Sequence, residues 1–387
     1  MTHDYVLPDY YPNFLCKCGA CRHPCCIGWG ISLKMEEYFR LLSLECSPEL
    51  RRRMDVAFHV ADHPAPERYA MITPNWRGDC PLHREDGYCA LQKECSEEVL
   101  SSTCRYYPRG PKSRFGYECA CSNSCERVLE LLFASDASLK FIRRELRFSM
   151  EDDDAVYSEP VRESCRIIRA QCLRFLADRS HPLRERIGAL HKLLSSLEDW
   201  QTMTPDDCRA RCEKMPLEAC LPCGDAPDAY EAFRIQVRLV RWFAENHHSV
   251  ADYGGEALAA TEIPADGDPD SRSLLRWQEE NRRFDAAFPD WEVRLEKMLI
   301  NHIFYEDFPF SEPEEALGHA FLALCAVCAL VRFLAVGWTA AHESEESLVD
   351  VCAAAFRVIG HTRFDRNSVI LLNAMHWVRP EQALALV

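Results

Sequence analysis

From residue 126 onward, apolar residues recur at helical spacing. Ile168, Cys172, Phe175 and Leu176 stand at i, i+4, i+7 and i+8, and Phe233, Val237 and Val240 repeat the pattern. Such stripes predict amphipathic helices that bury one face. Cys165, Cys172, Cys325, Cys328 and Cys352 lie inside segments of this kind and read as small buried hydrophobes, because a free thiol packs like an apolar side chain. The longest apolar run, Ala320 to Val331, is 12 residues and is closed by Arg332. A membrane span needs about 20. This run is therefore expected to be a buried core helix, and no membrane association is expected.

Before residue 126 the pattern is broken by Pro, Gly and short polar stretches. Leu33 to Cys46 and Ser47 to Ala61 read as helices, with Ser47 as N-cap and Pro48 in the first helical position; Cys46 between them is expected only to pack. Strand signals are sparse and no repeat of 20 to 50 residues is evident, so a solenoid is not supported. The acidic run Glu151 to Asp154 reads as a boundary. The Gly, Pro and Asp-rich stretch Gly254 to Ser271 reads as a surface loop. The expected fold is mostly α, with an N-terminal cysteine-rich metal-binding domain (1–135) packed on a helical C-terminal domain (136–387).

Charge and compartment narrow the chemistry. The chain carries 45 basic and 61 acidic residues, a net charge of −16, which argues against nucleic acid as a partner because phosphate neutralisation needs clustered Lys and Arg. The opening MTHDYVLPDYYPNF has no basic region followed by an apolar stretch, so a cytoplasmic location with reduced thiols is expected. With 387 residues, 48% of them hydrophobic, the chain can bury cores without disulfide staples.

The 22 cysteines then become the main chemical signal, since thiolates are metal ligands. Thirteen of them lie in the first 125 residues. Cys16-x4-Cys21-x3-Cys25-Cys26 is followed by Gly28 and Trp29, with Cys18 as a further thiol. Cys80, Cys89 and Cys104 form a second group, and Cys119, Cys121 and Cys125 a third. Adjacent Cys25 and Cys26 cannot easily bond to each other but can ligate two irons, which favours an iron–sulfur cluster. Zinc is the alternative, since the spacing matches neither four-Cys clusters nor paired zinc knuckles cleanly. The C-x3-C-x2-C triplet of radical S-adenosylmethionine enzymes is absent, because no third Cys follows Cys121-x3-Cys125 at the right offset.

At these residues the chain resembles the flagellin lysine-N-methylase (FliB) family. The resemblance runs through Phe14-x-Cys16-x4-Cys21-x3-Cys25-Cys26-x-Gly28-Trp29, Cys80-Pro81-Leu82, Gly87-x-Cys89, Leu100-x3-Cys104, Tyr107-Pro108-Arg109 and Cys125-Glu126-Arg127-Val128. It continues at Leu299-Ile300-Asn301-His302, Phe308-Pro309-Phe310, Val331 to Gly337 and Phe356 to His361. It implies an S-adenosylmethionine-dependent methyltransferase that modifies lysine side chains of flagellin and carries an iron–sulfur cluster, as 4Fe-4S. The matching ligand candidates are Cys16, Cys21, Cys25, Cys26, Cys80, Cys89, Cys104 and Cys125. Cys18, Cys95, Cys119 and Cys121 depart from the family pattern. The competing readings are a non-enzymatic metal-binding or metal-delivery protein and a structural zinc protein.

Lysine methylation requires a neutral amine, whereas the reference lysine pKa is about 10.4, so the protein must lower that value or supply a base. No strand followed by a G-x-G-x-x-G helix entry is present, which leaves a Rossmann-type donor site unsupported. Asn301, Arg357 and His361 are the catalytic candidates, being polar groups amid apolar helices within the resembling segments. Buried hydrogen bonding or simple exposure is the favoured reading of all three, and His361 reads equally as an ordinary surface residue. Arg234, Arg238 and Arg241 read as a solvated helix face. His247 and His248 read as a helix end, where positive charge suits the dipole.

Overall fold

The computed structural model describes residues 2–148, 157–220, 228–264, 267–311 and 316–387. The expected boundary at Glu151–Asp154 lies outside the described residues. The chain is mostly helical and divides into two compact units. The larger comprises Met1–Phe14, Gly110–Ser124 and Val128–Val387; the smaller comprises Leu15–Arg109 and Cys125–Arg127. This division differs from a cut near residue 135, because the first strand of the chain pairs with strands that follow the cysteine-rich segment.

In the larger unit those strands are β1 (Thr2–Pro8), β5 (Arg109–Lys112), β6 (Glu118–Cys121) and β7 (Phe141–Arg147), in the order β5-β6-β1-β7. β1 runs parallel to β6 and antiparallel to β7, from Thr2 opposite Arg147 to Pro8 opposite Phe141. The sheet corrects the expectation that strands are sparse. β7 reads FIRRELR, whose charges hide the alternation, and its stability comes from pairing with β1 rather than from its own propensity.

Helices fill the rest of the larger unit. Leu317–Thr339 is apolar on every side and nearly all of it is buried, as expected for a core helix. It is long and apolar enough to cross a membrane, but its sides are covered by neighbouring helices. Its approach to the helix His248–Ala260 is close, since a Cβ on Gly337 would lie 2.4 Å from Ala257. The same helix corrects the surface-loop reading of Gly254 to Ser271. Gly254 lies within it against the helix Ala229–Asn246, and an added Cβ would stand 2.5 Å from the Ala244 Cβ. Glycine is what permits this helix contact, and the loop begins only at Thr261. Cys165, Cys172, Cys325, Cys328 and Cys352 are buried, as their periodicity predicts. Arg234 and Arg238 pair with Glu231 and Asp268 on a solvated face. His247 lies at the junction of two helices, a helix end as expected, where burial pushes its ring below the usual histidine value and so works against positive charge there.

The smaller unit is built on a three-stranded sheet, β2 (Ile31–Leu33), β4 (Arg68–Ile72) and β3 (Phe58–Ala65), ordered β2-β4-β3 and antiparallel throughout. Helix Met35–Leu42 is shorter than its sequence prediction. Helix Pro48–Ala57 starts as expected, with the Ser47 hydroxyl accepting from the Leu50 N–H. It stops at Ala57 rather than Ala61 because Phe58 joins the sheet opposite Ile72. Leu33, Leu41, Leu50, Met54 and Leu91 form the core, with Cys46 and Cys95 packed against it.

Candidate functional site

All eight thiols singled out from the sequence fall in the smaller unit. Two loops are stitched together by backbone pairing: the Cys80 N–H donates to the Cys26 carbonyl at 2.8 Å, Ile27 bridges Asp79, and the Gly28 N–H donates to Gly78 at 2.8 Å. A second stitch joins residues 19 and 87, where a Cβ on Gly87 would lie 2.7 Å from the Gly19 Cα; Gly87 has φ of +79° and is needed for the close approach. Cys89 is the N-cap of the helix Ala90–Cys95, and the Cys104 N–H is capped by the Ser101 hydroxyl at 3.2 Å.

Glu126 pins the first cysteine loop and was not visible as a functional residue in the sequence. Its side chain is buried, accepts from Lys17 Nζ at 2.6 Å, and receives the backbone N–H groups of Arg22 (3.2 Å) and His23 (3.1 Å). Burial works against its ionisation, yet these donors hold the carboxyl below the usual carboxylate range. Hydrogen bonds to a charged group are worth about 1.5–3 kcal/mol each. Glu126→Ala is therefore expected to speed amide hydrogen exchange at Arg22 and His23 by at least tenfold. Unchanged protection would show that the loop is held by other contacts.

The thiols influence one another, and Cys25 is common to most of the pairs. Burial first, then the charges of Glu126, Cys125, Cys16 and Cys25, push Cys21 up to about 12. Cys26 is driven far higher by its hydrogen bond with Cys25, by burial and by the charges of Cys25, Cys80 and Cys89. Burial raises Cys80 to about 11 and Cys104 to about 12, with Cys25 and Cys89 adding to both. Thiolates gathered in this way repel each other, and a thiophilic cation reverses that penalty. The donor set thus fits an iron–sulfur cluster or zinc in kind. Among the described residues, however, no three His, Cys, Asp or Glu side chains stand in a closed metal-ligand arrangement. The extra cysteines sort themselves differently. Cys119 and Cys121 are buried on β6 in the larger unit, Cys95 packs on a core, and Cys18 is exposed.

In the larger unit, Asn301 is fully buried and purely structural in its contacts. Its side-chain amide donates to the Cys121 carbonyl at 2.8 Å and to Asn123 Oδ1 at 2.7 Å, and its carbonyl oxygen accepts from Tyr10 at 2.8 Å. Arg357 reaches the Ser124 carbonyl at 3.5 Å, and His361 Nε2 lies 3.0 Å from the Ser124 hydroxyl. His361 keeps exposed surface, yet the atoms packed about its ring and the neighbouring Arg357 push it down to about 4. Arg357 and His361 therefore meet at Ser124, away from Asn301's network.

A cavity of about 720 Å³ opens beside them, within the size range of small-molecule sites. It is lined by the end of the helix Trp291–Tyr305 and the residues after it, by Lys112 and Arg114, and by residues 359–366. Burial, then the charges of Asp365 and Asp307, with Lys112 opposing, push the Glu306 carboxyl up to about 8. Lys112 is itself committed to Asp307 and to the carbonyls of Phe304 (2.7 Å) and Tyr305 (2.9 Å). A second cavity, about 600 Å³, carries Trp277, Trp291 and Arg332, but Arg332 is already bound to Asn281 and Asp285. No signal in the sequence pointed to Glu306, because the groups that surround it come from three separate stretches of chain.

Residues 169–372, more than half of the chain, match the FliB lysine N-methylase C-terminal domain. The chain belongs to the FliB lysine N-methylase family. The matched FliB domain covers the helices that carry Glu306, Asn301, Arg357 and His361. The chain is 28% identical over 129 residues to a lysine-N-methylase of Salmonella choleraesuis and equally to one of Salmonella typhimurium, which is 32% of this chain and 31% of either relative. It is 26% identical over 127 residues to the flagellar biosynthetic protein FliU of Salmonella muenchen, covering 32% of this chain and 75% of FliU. The alignments span about a third of the length of the curated FliB-type lysine-N-methylases. No solved structure matches.

Proposed function

We propose that this chain is a protein-lysine N-methyltransferase that uses S-adenosylmethionine to methylate flagellin in the cytoplasm, with an iron–sulfur cluster bound by cysteines of the smaller unit. The observation that carries the reading is the FliB domain match over residues 169–372, and the names of the Salmonella relatives support its lysine and flagellar components. The ligands are drawn from Cys16, Cys21, Cys25, Cys26, Cys80, Cys89, Cys104 and Cys125, soft thiol donors that all lie in the smaller unit. When bound, a cluster would supply fixed charge and cross-links between the cysteine-bearing loops.

The protein's own residues meet the remaining demands of the reaction. The lysine nitrogen attacks the sulfonium methyl, the C–S bond breaks, the N–C bond forms, and the nitrogen loses a proton. The cavity in the larger unit is large enough for a lysine side chain, and its wall includes Phe364 and Tyr305 to cover the apolar stem. Asn301 would act in this reading by holding β6 against the helix Trp291–Tyr305 through its bond to the Cys121 carbonyl.

Anaerobic purification followed by a visible spectrum and iron, sulfide and zinc counts tests the metal part. A brown protein is expected, with about four irons per chain as a four-Cys cluster requires. Cys25→Ser is expected to lose the colour. Transfer of labelled methyl from S-adenosylmethionine to flagellin lysines tests the activity. Colourless protein holding stoichiometric zinc would overturn the cluster assignment, and flagellin left unlabelled by brown, folded protein would overturn the methylation assignment.

A further inference from the structure

Glu306 closes the helix Trp291–Tyr305 and lines the 720 Å³ cavity. Its backbone N–H bonds to His302, but its carboxylate has no hydrogen-bond or ion-pair partner among the described residues. This sets it apart from Asp307 beside it, which binds Lys112 and lies 3.0 Å from Arg169. Gly360 stands close beside it, since a Cβ there would lie 3.4 Å from Glu306 Oε1, at ordinary contact distance.

The groups around that carboxylate do not neutralise it. From its own helix come His302, pushed down to about 4 by burial and hence uncharged, and Tyr305, whose phenol burial raises and keeps neutral. Arg114, beyond β5, is turned to the Ser311 carbonyl at 3.4 Å and the Tyr157 hydroxyl at 3.3 Å. From the segment after His361 come Arg363, Asp365 and Arg366, of which Asp365 is the strongest charge acting on Glu306 and repels it. A carboxylate with no ion-pair partner among the described residues, repelled by Asp365 in the wall of the same cavity while Lys112, the cation that opposes this, is committed to Asp307, is a receptor for a compact cation.

We propose that Glu306 is the catalytic base for methyl transfer: its carboxylate receives the ε-ammonium of the substrate lysine in this cavity and takes one proton, leaving a neutral amine to attack the sulfonium methyl. The assignment rests on the lysine-methylation reading given above. The proton moves from nitrogen to the Glu306 oxygen before or with N–C bond formation, and returns to water after the methylated product leaves. A base matched to neutral pH suits this task, and such groups contribute about 10²- to 10⁴-fold.

The test compares wild-type protein with Glu306→Gln and Glu306→Asp, using S-adenosylmethionine and flagellin on full-length, anaerobically prepared chains. Glu306→Gln is expected to lower kcat by about 10²-fold or more with donor affinity unchanged, while Glu306→Asp keeps part of the rate. Two readouts need no turnover. In the first, carbon-13 NMR of the Glu306 carboxyl should titrate near pH 8 and move to lower pH when n-butylammonium is added. The second is thermal stability. Because the folded carboxyl titrates above its unfolded value of about 4.3, its contribution is full below that pH and is lost as pH rises through about 8. Glu306→Gln should therefore melt higher than wild type at pH 9 and equally at pH 4. Glu306→Gln within twofold of the wild-type rate overturns the base assignment while leaving lysine methylation standing. Weakened donor binding at full kcat also overturns it, by placing Glu306 on the donor. A wild-type chain that labels no lysine takes down both.

Discussion

Replacing Glu296 by alanine is expected to destabilise the larger unit by about 3–5 kcal/mol, the loss typical of removing one partner from a buried ion pair. Glu296 and Arg186 are both fully buried, with Arg186 Nη1 2.7 Å from Glu296 Oε2. Arg179 adds a fork onto the same carboxylate, its Nε at 2.9 and 3.0 Å and its Nη2 at 2.8 Å. Arg186 also donates to the Leu176 carbonyl and reaches Glu292 at 3.3 Å, while its Nε has no partner among the described residues. With Glu296 removed, a guanidinium that cannot lose its proton is left in a low-dielectric interior with only the exposed Glu292 nearby. Urea unfolding reads the loss directly. Glu296→Gln should fall between wild type and alanine, because it keeps acceptor and shape but not charge. A loss under about 1 kcal/mol would show that water reaches Arg186.

Asn301→Leu is expected to cost about 3 kcal/mol and to leave methyl-donor binding by the folded protein unchanged. The substitution removes the acceptor of the Tyr10 hydroxyl and the donors to the Cys121 carbonyl and Asn123 Oδ1, all buried. Orphaning a buried polar group costs about 1–3 kcal/mol. Tyr10 and Cys121 retain two mutual contacts, the Cys121 N–H donating to the Tyr10 hydroxyl at 3.0 Å and that hydroxyl donating to the Cys121 carbonyl at 3.2 Å, which keeps the total below three full penalties. Denaturant midpoints and calorimetric titration with S-adenosylmethionine separate the two effects. Donor affinity that falls tenfold at unchanged stability would return Asn301 to the binding machinery.

Local signals were legible where local physics decides the outcome. Ser47-Pro48 marked a helix start because capping and a fixed proline φ act within one turn. The run Ala320 to Val331 marked the most buried helix because no polar face was available to present to water. The loop reading of Gly254 failed because its glycine serves contact with Ala244, a partner far along the chain. Strands such as β7 and β3 were missed for the same reason, since their hydrogen bonds are supplied by β1 and β4. Cys119 and Cys121 could not be told from ligand cysteines by spacing, but burial on β6 separates them.

By itself the sequence determined the helical class, the principal core helix, the eight thiols and the family, because periodicity, caps and motif spacing are properties of neighbouring residues. The tertiary structure alone decided which thiols crowd one another, that Asn301 is bonded into a core, and that Glu306 faces a cavity without an ion-pair partner among the described residues. Those facts depend on dielectric surroundings and on charges such as Asp365 and Lys112, far apart in sequence, and a chain acquires them only when it folds.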